Sequence, residues 1–228
     1  MTLDLTNRVL FRDAMMIIID KPSGIAVHAG SHRDDSLMAH LEQLKFGLPD
    51  IPHLAHRLDR ETSGCLVLGR HRKALARLGT LFSKGVVDKT YWAVTVGCPP
   101  EDSGLIDVPL MKLDKNRGWK MITDPKGQPS QTQWRVLGRG DRMAWIEAKP
   151  LTGRTHQIRV HLASIGCPVA GDFLYGHGVA DMDYDRLHLH ARSISVPYEY
   201  KQPPIVATAT VPDHMEAALT SLGYKTSR

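Results

Sequence analysis

Short apolar runs alternate with polar turns along the chain, and no single rhythm lasts. "RVLFRD" and "MMIIIDKPSG" predict two short strands, the second stopped by Pro22 and Gly24. "DDSLMAHLEQLKFG" predicts a helix: Leu37, Leu41 and Leu44 share one face, Asp34, Asp35 or Ser36 can cap it, and Gly47 ends it. A polar knot, "HRLDRETSG", then runs into the apolar strand "CLVLGR". "KALARLGTLFSKG" predicts a second helix with Leu75, Leu78 and Phe82 on one side. "KTYWAVTVG" alternates as a strand does.

The segment from Met111 to Gln131 is polar and broken by Gly118, Gly127 and Pro129, which predicts an irregular or hairpin insertion. "TQWRVLGRGDRMAWIEAKPL" predicts a hairpin turning at "GRGD". "GRTHQIRVHLASIG" predicts a third helix with Ile158, Leu162 and Ile165 inward. "HLHARSISV" and "IVATATV" follow as strands, and "DHMEAALTSLG" closes the chain as a helix. Strands and helices mix without a strict βαβ rhythm. The expected class is therefore α+β with a largely antiparallel sheet.

At 228 residues the chain can bury a core as one domain or two small lobes. No apolar run approaches the ~20 residues of a membrane span. "MTLDLTNRVL" lacks the basic-then-apolar order of a secretory signal. Cys65, Cys98 and Cys167 are far apart and odd in number, which argues against a disulfide framework and against a CxxC metal site. A reducing cytoplasm is the expected location.

Lysine and arginine number 29 against 24 acidic residues, a net charge of +5. The excess suits a polyanionic partner such as nucleic acid, although many ordinary proteins are this basic. Its distribution says more. Lys112, Lys115, Arg117 and Lys120 gather around Trp119, and Arg70, His71, Arg72, Lys73 and Arg77 gather at a helix start.

Asp59 stands between Arg57 and Arg60 at the mouth of a buried strand. Such a group is often a surface salt-bridge cluster. It also suits a carboxylate kept ionised beside apolar surface, because neighbouring cations favour the charged form. Thr62, Ser63 and Gly64 add hydroxyls, backbone donors and a tight turn. On the third helix Arg159 lies about 100° from Ile158, at the margin of the apolar face, with His156 one turn before it. It can snorkel, or it can reach a carboxylate in a cleft. Tyr91 is a strand tyrosine, suited to packing, to stacking on a base, or to handling a proton.

His156 and His161 are five apart, the wrong spacing for a zinc pair, and His188 and His190 lack a third ligand nearby, so no metal is expected. A phosphate-binding P-loop is missing. A glycosidase needs two spaced carboxylates, and the knot offers Asp59 with only Glu61 close by.

"HRLDRETSG" resembles the catalytic signature of the RluA-type pseudouridine synthases. "KTYWAVTVG" resembles that family's second motif and "LTGRTHQIRVHLASIG" its third. "IIIDKPSGIAVHAG" resembles its N-terminal strand and turn, and "GCPVAGDFLYG" and "LHLHA" match stretches after the third motif. The resemblance implies uridine-to-pseudouridine isomerisation in RNA without metal or organic cofactor. It implies a mixed, mainly antiparallel sheet around a central catalytic cleft, flanked by helices. The catalytic aspartate falls on Asp59, the motif arginine on Arg57, the active-site tyrosine on Tyr91, and the arginine that pairs with the aspartate on Arg159. His56 and Thr62 stand in support.

One catalytic domain over residues 1–228 is expected, without an N-terminal S4 domain. Selection of RNA then falls to that domain and its insertion, through Lys112, Lys115, Arg117, Trp119 and Lys120. Ribosomal RNA and transfer RNA are both reasonable partners, and a monomer is expected. Two alternatives compete: a non-catalytic RNA-binding protein on the same fold, and a carboxylate hydrolase acting on a nucleotide-like substrate.

Overall fold

The structure, a computed structural model, describes residues 3–28, 36–113, 120–176 and 184–225. In chain order the strands and helices begin with β1 (Val9–Arg12), β2 (Met16–Lys21), β3 (His53–Leu54), β4 (Ser63–Gly69), α1 (Arg72–Ser83) and β5 (Asp88–Val96). Then come β6 (Ser103–Asp107), β7 (Leu110–Lys112), β8 (Met121–Thr123), β9 (Gln131–Arg139) and β10 (Met143–Pro150). The last are α2 (Gln157–Ser164), β11 (Leu189–Val196), β12 (Ile205–Thr208) and α3 (Asp213–Ser221). They group into two compact units: Met1–Lys89 with Ala191–Thr210, and Thr90–His190 with Val211–Arg228.

In the first unit the strand order is β1-β2-β4-β11, with β3 also on β4 and β12 on β11. The β1–β2, β2–β4, β3–β4 and β11–β12 pairings are antiparallel. β4 is buried along its whole length, as its unbroken apolar run requires. Met16 and Ile18 of β2 and Cys65 and Val67 of β4 form a core with Leu78 of α1 and Ile194 and Val196 of β11. α1 is capped by His71, whose Nδ1 accepts the Ala74 N–H at 3.2 Å.

One expectation needs correction here. Leu37, Leu41 and Leu44 are buried together, but Leu37–Leu44 is a 3-10 helix rather than an α-helix. Ser36 is extended and makes no side-chain cap, because its backbone bridges to Ala26 and the Leu37 N–H goes to Ala26 O at 2.8 Å. Asp34 and Asp35, the other expected caps, lie outside the described residues.

In the second unit the order is β5-β10-β9-β6, antiparallel throughout. β9 and β10 form the expected hairpin, closed by a Gly140 N–H to Met143 O bond of 2.9 Å. The insertion contains a small hairpin of β7 and β8. α2 packs on the sheet through Ile158 and Leu162, in a core with Ala93, Ile146 and Ala148. α3 seats Met215 and Leu219, with Leu222 just past its end, beside Val94, Val96 and Trp145. Each unit joins antiparallel strands with few helices, so the class is α+β, as expected. Among the described residues no helix is long and apolar enough to cross a membrane.

Candidate active site

Asp59 sits half-exposed on a turn leading into β4, with Leu58 buried beneath it. The turn is closed by the Thr62 N–H to Asp59 O bond at 3.2 Å, and Thr62 and Ser63 are both buried. The segment after β2 holds it from below. Lys21 Nζ donates to the carbonyls of Pro22, Ile25 and Arg60 at 2.8, 2.9 and 3.0 Å. The Gly24 N–H also donates to Arg60 O, the Ser23 hydroxyl donates to Glu61 O at 2.7 Å, and Arg60 Nε returns a bond to Gly24 O at 3.0 Å. Lys21 is fully buried, and burial lowers its pKa to about 8 against the opposing pull of Glu61, Asp59 and Asp20. The "DKPSG" turn thus fastens the backbone of the knot from Arg60 to Glu61.

The remaining knot residues divide by role. His56 Nε2 accepts the Val67 N–H at 3.0 Å, which places the proton of the neutral ring on Nδ1. Its ring stacks on Phe82 at 4.5 Å, and burial, with Lys89 adding, drives its pKa down to about 3. His56 therefore pins β4 to α1 and is no general acid near neutral pH. Arg57 is exposed. Arg60, expected to flank Asp59, turns instead to Gly24 O and to Glu61, 3.5 Å away. Gly64 takes φ +104°, and a Cβ there would stand 2.3 Å from Ala191 O. Only glycine fits the last position of "TSG".

The second unit carries Tyr91 and Arg159. Tyr91 pairs with Ala148 across β5 and β10 and is partly buried against the core under α2. Arg159 is not marginal as the periodicity predicts: Gln157 through Leu162 are all buried, so α2 has no solvent face over that stretch. Polar side chains survive there because each is bonded. Arg159 Nε and Nη2 donate to the two carboxylate oxygens of Asp172 at 2.7 and 2.8 Å. Asp172 Oδ1 also accepts the N–H groups of Leu174 and Tyr175. Gln157 Nε2 donates to Gln131 O and Thr132 Oγ1, and the Thr152 hydroxyl donates to Gln157 Oε1. His161 Nε2 donates to Val108 O, so Nδ1 accepts from the Thr132 hydroxyl at 2.8 Å, and burial holds the ring neutral.

His156 precedes the helix rather than joining it, at φ +53°, a left-handed value uncommon for a residue with a side chain. Its Nδ1 lies 2.8 Å from Tyr175 Oη. That hydroxyl accepts the Met121 N–H of β8 at 3.0 Å, and the Arg159 guanidinium lies 5.0 Å from the Tyr175 ring centre. Tyr175 therefore links the insertion hairpin to α2. Sequence reasoning missed Lys21, Asp172 and Tyr175 as individual residues, although all three lie within stretches matched to the family.

The basic positions also part company. Lys112 is exposed on β7 and Lys120 is half-buried, whereas Lys115, Arg117 and Trp119 lie outside the described residues. The other basic cluster is divided: Arg72 and Lys73 are exposed at the start of α1, whereas Arg70 and Arg77 are bonded. Arg70 is buried and donates to Asp13 O and Lys45 O at 2.6 and 2.9 Å, and Arg77 Nε donates to Tyr198 O at 2.6 Å. These arginines satisfy backbone carbonyls. Among the described residues no three His, Cys, Asp or Glu side chains are grouped as a metal ion needs.

The fold is that of an RNA-modifying isomerase. Residues 15–164 match the family described as RNA pseudouridylate synthase. The chain belongs to that family, among its RluA-type members, and converts uridine in RNA to pseudouridine. It is 42% identical over 222 residues to an uncharacterized RNA pseudouridine synthase of Zymomonas mobilis, covering 96% of this chain and 99% of the relative. It is 34% identical over 228 residues to the ribosomal large subunit pseudouridine synthase C of Vibrio cholerae, covering 96% of this chain and 70% of the relative. The solved structure of human RNA pseudouridylate synthase domain containing 4 is similar at a TM-score of 0.80 and 28% identity, covering 98% of this chain and 96% of that one.

Proposed function

We propose that the protein isomerises a uridine of large-subunit ribosomal RNA in the cytoplasm, with Asp59 as the catalytic carboxylate. The observation that carries the catalytic role is the turn itself. A half-exposed carboxylate rides on a backbone fixed by Ser23, Gly24 and the buried Lys21 and anchored in fully buried β4. Fixing a polar group in advance is what catalysis of a charge-developing step requires. In the reaction the C1′–N1 bond breaks, the uracil turns, and C5 bonds to C1′. C5 loses a proton and N1 gains one. The Asp59 carboxylate serves the step in which positive character develops at C1′.

Tyr91 and Arg159 serve the same reaction in this reading. Tyr91 stacks on the uracil or assists loss of the C5 proton. Arg159, held by two bonds to Asp172, supplies a fixed positive charge. The target uridine leaves its stack, as bases do for other enzymes that act on them. Ribosomal RNA is favoured over transfer RNA by the similarity to synthases named for the large ribosomal subunit. The three free cysteines fit a reducing compartment. Pseudouridine maps of ribosomal and transfer RNA from cells with and without the protein test the substrate. Loss of a large-subunit site supports the proposal, and loss confined to transfer RNA overturns it.

A further inference from the structure

We propose that the pocket of about 380 Å³ beside the insertion hairpin holds one unpaired nucleotide of the RNA substrate without reacting with it. This rests on the assignment of the protein as an RNA isomerase. The pocket lies wholly in the second unit. It is lined by Leu110, Met111 and Lys112 of β7, Met121 of β8, the turn Lys126–Gln128, and Gly153, Arg154 and Thr155 before α2. Its volume falls within the range of small-ligand sites, which starts at about 300 Å³.

The lining has the chemistry of a nucleotide site. Lys112, Lys126 and Arg154 are cations, and no aspartate or glutamate is among the described lining residues. Met111 and Met121 give polarizable apolar wall against which any base can pack. Phosphate on the cations and base on the methionines is sequence-tolerant recognition of single-stranded RNA. The walls are also set in advance. Leu110 and Gln128 exchange backbone bonds of 2.9 and 2.8 Å, and the Gly127 N–H closes its turn on Asp124 O at 2.8 Å. A Cβ on Gly127 would stand 2.5 Å from the Leu110 carbonyl carbon, so turn and strand are in direct contact. Across the pocket, Arg154 is held by Nε to Pro129 O and by its N–H to Gln157 Oε1. No carboxylate, tyrosine or histidine is among the described lining residues, so the site lacks the kinds of group to which the isomerisation is assigned.

The test is methyl NMR of the full chain labelled at methionine, titrated with a short single-stranded RNA containing uridine. The Met111 and Met121 methyls are expected to shift together and saturate, while buried Met16 and Met215 stay. Lys112→Ala with Lys126→Ala, both at exposed positions, should lower the salt slope of binding by roughly 0.7 for each phosphate no longer neutralised, about fivefold in affinity per phosphate near ~0.1 M salt. Pseudouridine formed in the same mixture is mapped separately. Product with unmoved Met111 and Met121 methyls and an unchanged slope overturns the pocket and leaves the isomerase assignment standing. Shifted methyls without product on any RNA support the pocket and count against that assignment.

Discussion

Replacing Lys21 with methionine removes a cation from the interior of the first unit and keeps an unbranched side chain one atom shorter. The bonds to the Pro22, Ile25 and Arg60 carbonyls disappear, though Arg60 O retains the Gly24 N–H. At about 1.5–3 kcal/mol for a bond to a charged group, the gross loss is roughly 5 kcal/mol. Against this, burial lowers the Lys21 pKa from 10.5 to about 8. That corresponds to a penalty of about 3 kcal/mol on the charged form, which the variant escapes. The net expectation near neutral pH is a destabilisation of about 2 kcal/mol.

The pH dependence separates this account from simple loss of packing. The folded protein releases the Lys21 proton at about 8, and the unfolded chain near the ordinary lysine value of 10.5. Unfolding between those values takes up a proton, so stability rises with pH through that window. The wild type should therefore gain about 2 kcal/mol over the variant between about pH 7 and about pH 9.5. Urea unfolding followed by tryptophan fluorescence reads both quantities. Wild-type and variant stabilities that run parallel across the window, or a variant as stable as wild type near neutrality, would refute the reasoning.

Gly64→Ala should cost more than about 3 kcal/mol or prevent folding, because the new Cβ meets Ala191 O at 2.3 Å on a backbone of φ +104°. Soluble protein with wild-type urea resistance would contradict it. Tyr175→Phe removes the acceptor of the Met121 N–H and the partner of His156 Nδ1, at a cost of about 1–2 kcal/mol. Hydrogen exchange at Met121 should quicken in that variant, and unchanged protection would show that the hydroxyl does not tie the hairpin to α2.

Much of the architecture is legible in the sequence because period and punctuation agree. β2, β4 and β5, the β9–β10 hairpin and α1 all follow from apolar runs bounded by Gly, Pro or charge. The 3-10 helix at Leu37 looks like an α-helix in sequence because its leucines share one face in either form. What the sequence does not show is the bridge from Ser36 to Ala26, which fixes where the segment starts. The burial of Arg159 is hidden for a related reason: periodicity reports apolar faces, and α2 is enclosed by bonded polar groups as well. The knot draws attention to Asp59, but Lys21 gives no local sign of its role. Its three acceptors include Arg60 O, which only the fold brings near. Arg70 and Arg77 show the converse, since charge counted along a sequence does not reveal that a guanidinium is already committed to carbonyls.

The most direct test is Asp59→Asn, assayed by pseudouridine mapping on a large-subunit ribosomal RNA fragment under single-turnover conditions. Asparagine keeps the shape of the side chain and removes the charge. The isomerisation rate should fall by at least about a thousandfold, roughly 4 kcal/mol of transition-state stabilisation. Urea stability and RNA affinity should stay near wild type. A variant that folds, binds RNA and forms pseudouridine at the wild-type rate would contradict the assignment of Asp59 as the catalytic carboxylate.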